Sequence, residues 1–495
     1  MIKIHKYTES FVFVECELQE AREISKQFEF YSANYMFNPK YKLGVWDGKI
    51  RLFSTKTCLL PQGLLPKLIK YFKEYNIKYK IEDKEIVRRG PKIGNKSLRK
   101  FEKMIKLPDH FEEREHQDLG VQMMLYLKKT IILSATNSGK SLIAYLLFNI
   151  LKYMNEDFKF LMMVPNVQLV EQMTDNFCEY GENFADYNEY VHKIYAGKQK
   201  NTDKPVTIST WQSLQNENKK YFQQFDLVMV DECHTAAAKV MTKLVSYCEN
   251  AQYKIGMSGT LNDTKIDLLQ LQGLFGPIHK IAKTKDMIKK GYSTKLKING
   301  VILNHPKMVR DQTRLKKSKK MVYDDEVKFV NQLKSKQKYI CGLANSRKNN
   351  TLVLFRLTKF GKEIRDLLEK YSKKKIFYVD GSVKVKYRKE AAKYCEENND
   401  AIVIASYGTF STGISIKNLH NIIFAESMKS AIKILQSIGR LLRIHKDKKV
   451  ATVFDITDNL SLGKRKNYLL KHFLKRIGYY ESEGHDYTIT DVKLK

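Results

Sequence analysis

Three short clusters in this chain combine residue types and spacings that can do chemistry. The first is Ser134-Ala135-Thr136-Asn137-Ser138-Gly139-Lys140-Ser141, set between the apolar run TIIL and the stretch SLIAYLLFNILKY. A strand, a loop closing in Gly-Lys-Ser and a helix together make a cradle for phosphate. Backbone N–H groups and the helix N-terminus face the anion. Gly139 lets the backbone approach closely. Lys140 brings a positive charge to the β- and γ-phosphates, and Ser141 offers a hydroxyl to Mg²⁺. The first glycine of the general phosphate-loop pattern is Ser134 here.

The second cluster ends the run FDLVMVDECH (Phe225 to His234). Leu227 to Val230 hold no polar residue, so the run reads as a buried strand closing in two acids. Carboxylates at the C-terminal end of a parallel strand sit at the ligand face of such a sheet. Asp231 is expected to hold Mg²⁺, and Glu232 to orient and deprotonate an attacking water. Two unremarkable surface acids are the bland alternative. The third cluster is QSIGRLLR (Gln436 to Arg443), with Arg440 and Arg443 three residues apart and expected on one helix face. An arginine that reaches a transferred phosphate stabilises charge in the transition state. Taken alone, such a pair is usually a solvated face.

These clusters need elements to position them. From about residue 101, short strand-like runs (TIILSA, FKFLMMVP, PVTIST, FDLVMVDE) alternate with helical stretches. The alternation restarts with NTLVLFRL, KIFYVDG, DAIVIASY, LHNIIFAES and KKVATVFD. That pattern predicts parallel sheets covered by helices, in two similar α/β halves joined between about 280 and 300. Residues 1–100 read as a small α+β module, with a hairpin over Tyr35 to Phe53 turning at Trp46-Asp47-Gly48-Lys49 and a helix over Gly63 to Tyr75. RRGPKIGNKSLRK (Arg88 to Lys100) reads as a linker. The charged segment His305 to Ile340 reads as a solvated helix leading into the second half. The expected division is 1–100, 101–285, 286–460 and a basic helical tail over 461–495.

Composition narrows the partners. Lys+Arg 88 against Asp+Glu 54 leaves a net charge of +34 in 495 residues. Phosphate neutralisation drives sequence-independent nucleic-acid binding, and a polyanion explains such an excess. A lysine-biased genome explains it without any partner. The longest apolar stretch, Leu142 to Met154, is interrupted by Asn149 and Lys152 and is too short for a membrane span. The N-terminus moves at once to charged and polar residues, so no secretory signal is expected. Seven scattered cysteines without a CxxC pair fit a reducing compartment, and the expected location is cytoplasmic, in the host if the chain is phage-encoded.

Taken in this order, the clusters resemble the superfamily 2 helicases, the DExH-type nucleic-acid-dependent ATPases. The resemblance covers about residues 105–460. Gln117 matches the position that reads adenine in that family. VPNVQLVEQ (Val164 to Gln172), STWQSL (Ser209 to Leu214), Ser258-Gly259-Thr260, TLVLFR (Thr351 to Arg356) and SYGTFSTGIS (Ser406 to Ser415) look like its intervening motifs. The resemblance implies two tandem RecA-like lobes that use ATP and Mg²⁺. It places Gln117, Ser138, Gly139, Lys140, Ser141, Gly413 and Gln436 on the nucleotide. It assigns catalysis to Lys140, Asp231, Glu232, Arg440 and Arg443, and the metal to Ser141 and Asp231. It lays nucleic acid on Thr210, Trp211 and Gln212 in the first lobe and on Ser406, Thr409 and Thr412 in the second. Trp211 has a plain alternative as a core residue behind its strand.

Within that group, FNPKYKLGVWDGKIRLF, the Asp-Glu-Cys-His box and SYGTFSTGISIKNLH look like the recombination and repair helicases of T-even-like phages. Members of that family regress forks, migrate branches and unwind R-loops, and residues 1–100 resemble their accessory DNA-binding domain, with an ordinary small core as the plain alternative for the aromatic hairpin. The expected partner is therefore branched, forked or R-loop DNA, contacted as single strand, with no membrane. RNA is the rival substrate, and whether a small protein partner assists is open. An annealing or scaffold protein with a decayed ATP site is the rival from another class.

Overall fold

The computed structural model of the chain describes residues 1–32, 35–111, 113–135, 137–197, 199–235, 239–260, 265–315, 322–413, 416–428, 430–461 and 465–495. The chain divides into two compact units. One holds Met1–Ser134 with Gly139–Ala282; the other holds Ala135–Ser138 with Lys283–Lys495.

The first unit begins with the N-terminal module. Its strands are β1 (Ile2–Lys6), β2 (Phe11–Glu15), β3 (Glu29–Tyr31), β4 (Lys49–Arg51), β5 (Leu59–Pro61) and β6 (Tyr79–Ile81). Four of them form a mixed sheet in the order β5-β2-β1-β6, with β1 parallel to β6 and antiparallel to β2. Alternation in β1 and β2 points Ile2, Ile4, Val12 and Val14 into a core shared with Leu68 and Phe72 of the helix Leu65–Glu74. The expected hairpin over Tyr35 to Phe53 is not formed. Strand β4 pairs antiparallel with β3 instead, and Pro39–Lys42 is a short helix. Local pattern marked the turn but not the partner, because Asn38 caps a helix by accepting from Lys40 N at 3.0 Å and Pro39 starts it. The stretch read as a linker contains the start of the helix Asn95–Met104.

The rest of the first unit is a seven-stranded sheet, all parallel. Its strands are β7 (Lys129–Ser134), β8 (Phe160–Val164), β9 (Val191–Ile194), β10 (Val206–Thr210), β11 (Leu227–Asp231), β12 (Tyr253–Ser258) and β13 (Ile278–Ala282), in the order β13-β7-β12-β11-β8-β10-β9. Strands β8, β10, β11 and β12 are buried at every position, as the apolar runs of β8 and β11 require, while β10 and β12 also bury Thr207, Ser209, Thr210, Lys254 and Ser258. The helix Lys140–Met154 is buried from Leu142 through Leu151 and is the centre of this core.

The module is packed directly onto this lobe. Glu9 N donates to Glu249 O at 2.9 Å, Ser10 Oγ to Ser246 O at 2.8 Å, and Lys129 Nζ sits 2.6 Å from Glu9 Oε2. Lys254 of β12, itself buried, donates to the Ser10 hydroxyl between β1 and β2. Gly63 lies so close to the helix Lys265–Phe275 that a Cβ there would meet Gln272 O at 2.0 Å. A cavity of about 470 Å³ runs along this seam.

The second unit carries β14 (Lys295–Asn304), β15 (Thr351–Phe355), β16 (Lys375–Val379), β17 (Ala401–Ser406), β18 (Asn421–Phe424), β19 (Val450–Asn459) and β20 (Tyr487–Lys493). They form a second all-parallel sheet in the order β16-β17-β15-β18-β19-β14-β20. The fold is thus two tandem parallel-sheet lobes after a small α+β module, as the alternation predicted, and RecA-like as the resemblance implied. Residues 461–495 are more than a helical tail. The helix Tyr468–Ser482 is anchored by Arg476, fully buried on Asp455 with two 2.8 Å bonds, and β20 then extends the sheet beside β14. Among its described residues the charged segment before β15 carries the helices Lys307–Leu315, Tyr323–Asn331 and Lys334–Ser346 rather than a single one. No helix among the described residues is long and apolar enough to cross a membrane.

Candidate functional site

In the first unit the candidate residues gather at the C-terminal ends of β7, β11 and β12. Gly139 has φ +81, the left-handed region, and caps the helix that begins at Lys140. A Cβ there would meet Gln117 Nε2 at 2.1 Å, so only glycine fits beneath that side chain. Gln117 itself is buried and held in place by Arg114 N, which donates to its Oε1 at 2.9 Å. Lys140 Nζ donates to Ser134 O at 3.3 Å, folding the side chain back over the loop. Ser141 Oγ is 2.8 Å from the Tyr180 hydroxyl. Tyr180, on the helix Val167–Tyr180, is a partner that local spacing around the loop could not reveal.

Asp231 closes β11, and Glu232 follows it with φ +50. That backbone is costly for a non-glycine residue and marks a position held by its surroundings. Glu232 Oε2 is 3.0 Å from Ser258 Oγ and 3.2 Å from His234 Nδ1, and Ser258 closes the neighbouring strand β12. The two carboxyls diverge electrostatically. Burial pushes Asp231 above its ordinary range, and the adjacent Glu232 charge adds to this. For Glu232 burial acts the same way, but the His234 hydrogen bond and the Lys140 charge outweigh it and hold the carboxyl low. One acid is thus kept firmly ionised beside a second that favours a proton or a cation. Asp231 Oδ1 is buried with no hydrogen-bond partner among the described residues. A hard cation fits such an orphaned carboxylate oxygen, with the Ser141 hydroxyl as a further oxygen donor from the loop.

The expected nucleic-acid residues of the first lobe separate. Thr210 is buried, its hydroxyl 2.8 Å from Ser213 Oγ. Trp211 packs against the apolar core on one side of the sheet, the plainer of its two readings. Gln212 is exposed, its Nε2 3.4 Å from Pro165 O.

In the second unit Ser406 closes β17, and its Oγ is 2.8 Å from Thr409 Oγ1. Ser406 lines a cleft of about 540 Å³ with Arg356, Thr358, Lys362, Ser382 and Gly408. Arg356 and Lys362 were not singled out in advance. The motif TLVLFR ended on the first, but nothing local showed that both bases join Ser406. Thr412 and Gly413 end the helix Tyr407–Gly413, and the Thr412 side chain lies outside the described structure. Gln436 and Arg440 lie on the helix Ala431–Leu441, with the Arg440 guanidinium 5.9 Å from the Phe410 ring centroid. Arg443 does not share that helix face: the helix ends at Leu441, and Arg443 N closes a turn onto Arg440 O at 3.4 Å. Burial lowers the Arg443 pKa, with Glu396 opposing. Ser138 belongs to the stretch grouped with this unit and is buried.

Comparisons with known proteins bear on the family of the chain. Residues 1–82 match the family described as DNA helicase UvsW, N-terminal; residues 96–263 match Type III restriction enzyme, res subunit; residues 335–445 match Helicase conserved C-terminal domain. The chain is 35% identical to the ATP-dependent DNA helicase uvsW of Enterobacteria phage T4, over 100% of both chains. The crystal structure of T4 UvsW aligns over 100% of both chains with TM-score 0.52 and 34% identity. The DNA 3'-5' translocase XPB2 of Sulfurisphaera tokodaii is 22% identical, over 71% of this chain and 83% of its own.

Proposed function

The chain belongs to the UvsW family of superfamily 2 helicases, and from that premise we propose how its residues perform ATP-dependent DNA unwinding and on which DNA. The activity is that of an ATP-dependent DNA helicase. The observation that carries the residue assignment is the buried Asp231 beside the half-buried Glu232 and near the Lys140 charge, the two carboxyls being driven apart in proton affinity.

Lys140 and the N–H groups at the start of its helix hold the β- and γ-phosphates, and Gln117 reads the adenine. Asp231 and Ser141 are the residues that would hold Mg²⁺, which when bound neutralises phosphate charge. Glu232, firmly ionised, accepts a proton from the attacking water. Arg440 and Arg443 supply positive charge to the transferred phosphoryl group, and Ser138, Gly413 and Gln436 complete the nucleotide contacts. DNA follows Gln212 in the first lobe and the cleft of Ser406, Arg356 and Lys362 in the second, with Thr409 holding the Ser406 hydroxyl from behind, and is gripped mainly through phosphate.

The substrate we propose is branched DNA: forks, four-way junctions and R-loops. The test is ATP-dependent processing of a fork, a four-way junction, an R-loop and a plain duplex by one preparation. Branched substrates should turn over at least tenfold faster than plain duplex. Equal rates on all four, or a preference for duplex RNA, would remove this substrate assignment.

A further inference from the structure

Between β3 and β4 the chain makes an excursion whose apolar side chains the fold does not use. Phe37 is 73% exposed, Leu43 75%, Val45 75% and Met36 58%. Neither the turn Tyr35–Phe37 nor the helix Pro39–Lys42 has a buried residue. Four large apolar side chains within ten residues, none of them covered, form a patch that a folded chain seldom leaves bare without a partner.

The excursion is nevertheless internally built. The Tyr31 and Tyr35 rings stack at 4.5 Å, and Tyr41 meets Tyr35 edge-on at 4.8 Å. Val45 N and Trp46 N both donate to Lys40 O, and Trp46 Nε1 donates to Lys49 O at 2.8 Å. Gly48, at φ +79, sits where a Cβ would meet the Tyr35 ring at 2.5 Å. The tyrosines and backbone bonds hold a firm knob and turn the apolar side chains outward.

Charge selects the partner. The acids at its base are neutralised, Asp47 by Arg51 and Glu29 by Lys49 and Arg51. Lys40 and Lys42 are exposed, with no carboxylate partner among the described residues. An apolar tip flanked by free cations matches DNA bases flanked by phosphates. Apolar side chains of this kind insert between base steps, and aromatic rings stack on unpaired bases.

We propose that this knob is a wedge that docks on DNA at a branch point, with Phe37, Leu43 and Val45 against the unstacked bases and Lys40 and Lys42 on the adjoining phosphates. It rests on the reading of the chain as a helicase of branched DNA, and it names the part of the molecule that recognises the branch. The side chains are solvent-exposed, so their removal leaves the core intact.

The experiment uses the full chain and a synthetic fork with 2-aminopurine at the branch, without ATP. Binding of the unaltered protein should raise 2-aminopurine fluorescence as the base unstacks. Phe37→Ala combined with Leu43→Ser should abolish that rise and weaken fork binding about tenfold. Phe37→Leu, which keeps an apolar wedge, should retain the rise. ATP hydrolysis stimulated by single-stranded DNA should change less than twofold in both variants. A double variant with an unchanged fluorescence rise and fork affinity overturns the wedge. So does a concentration-dependent dimer of the unaltered protein that the double variant loses in sedimentation, which would assign the knob to a second copy. Loss of DNA-stimulated ATP hydrolysis in the unaltered protein would instead defeat the helicase reading beneath it.

Discussion

Ser258 Oγ lies 3.0 Å from Glu232 Oε2 and 3.0 Å from His234 Nδ1, joining the end of β12 to the acid pair after β11. Its short contact to Thr260 O, 2.6 Å, competes for the same hydroxyl proton. One hydroxyl therefore ties Glu232 and His234 to the backbone at Thr260. Ser258→Ala should leave ATP hydrolysis within about fivefold of normal and reduce unwinding by at least tenfold. Parallel assays of phosphate release and strand displacement check this, and equal losses in both would refute it.

Glu232→Gln keeps the shape of the side chain and removes the base. ATP should still bind, because Lys140 and the helix start at that residue are untouched. Hydrolysis should fall by roughly 10²–10⁴, the usual worth of a general base. Single-turnover hydrolysis with binding followed separately decides it.

Lys140→Ala removes the charge that meets the phosphates. Turnover should become undetectable while single-strand DNA affinity stays within about threefold. Near-normal turnover would mean that the loop is not the nucleotide site. DNA affinity of the unaltered chain should fall steeply with salt, in keeping with the net charge of +34.

The seam between the module and the first lobe should respond to pH. Burial pushes Lys254 down to about 7, against Cys248, Glu9 and Glu249, which favour its charge, while Lys129 opposes it. An unfolded lysine holds its proton to about 10.4. Between these values the unfolded chain binds the extra proton, so stability rises with pH, by up to about 1.4 kcal/mol per unit. Lys254→Met should flatten that rise between pH 7 and 10 in chemical denaturation. Parallel curves for the two proteins would refute the assignment.

Gly63→Ala tests the same seam sterically. A Cβ within 2.0 Å of Gln272 O forces the module and lobe apart. The cost should be on the order of 1–3 kcal/mol, visible as a lowered thermal midpoint, with the lobe's own core unaffected.

Much of the catalytic lobe was legible in the sequence because its signals are local. A strand, a loop and a helix lie side by side around Gly139 and Lys140, and β11 announces itself by four apolar residues before two acids. What escaped depends on contacts distant in sequence. Nothing around Lys49 says that β4 will pair with Glu29–Tyr31. Nothing around Ser141 points to Tyr180, or around Ser406 to Lys362. Three-residue spacing put Arg440 and Arg443 on one helix face, yet the helix stops at Leu441, short of the second arginine.

The seam of Glu9, Ser10 and Gly63 against the first lobe makes the module a rigid extension rather than a tethered appendage. The excursion at Phe37 then travels with the lobe that carries Lys140, and if it meets DNA as we propose, fuel consumption at one end would become mechanical work at the other.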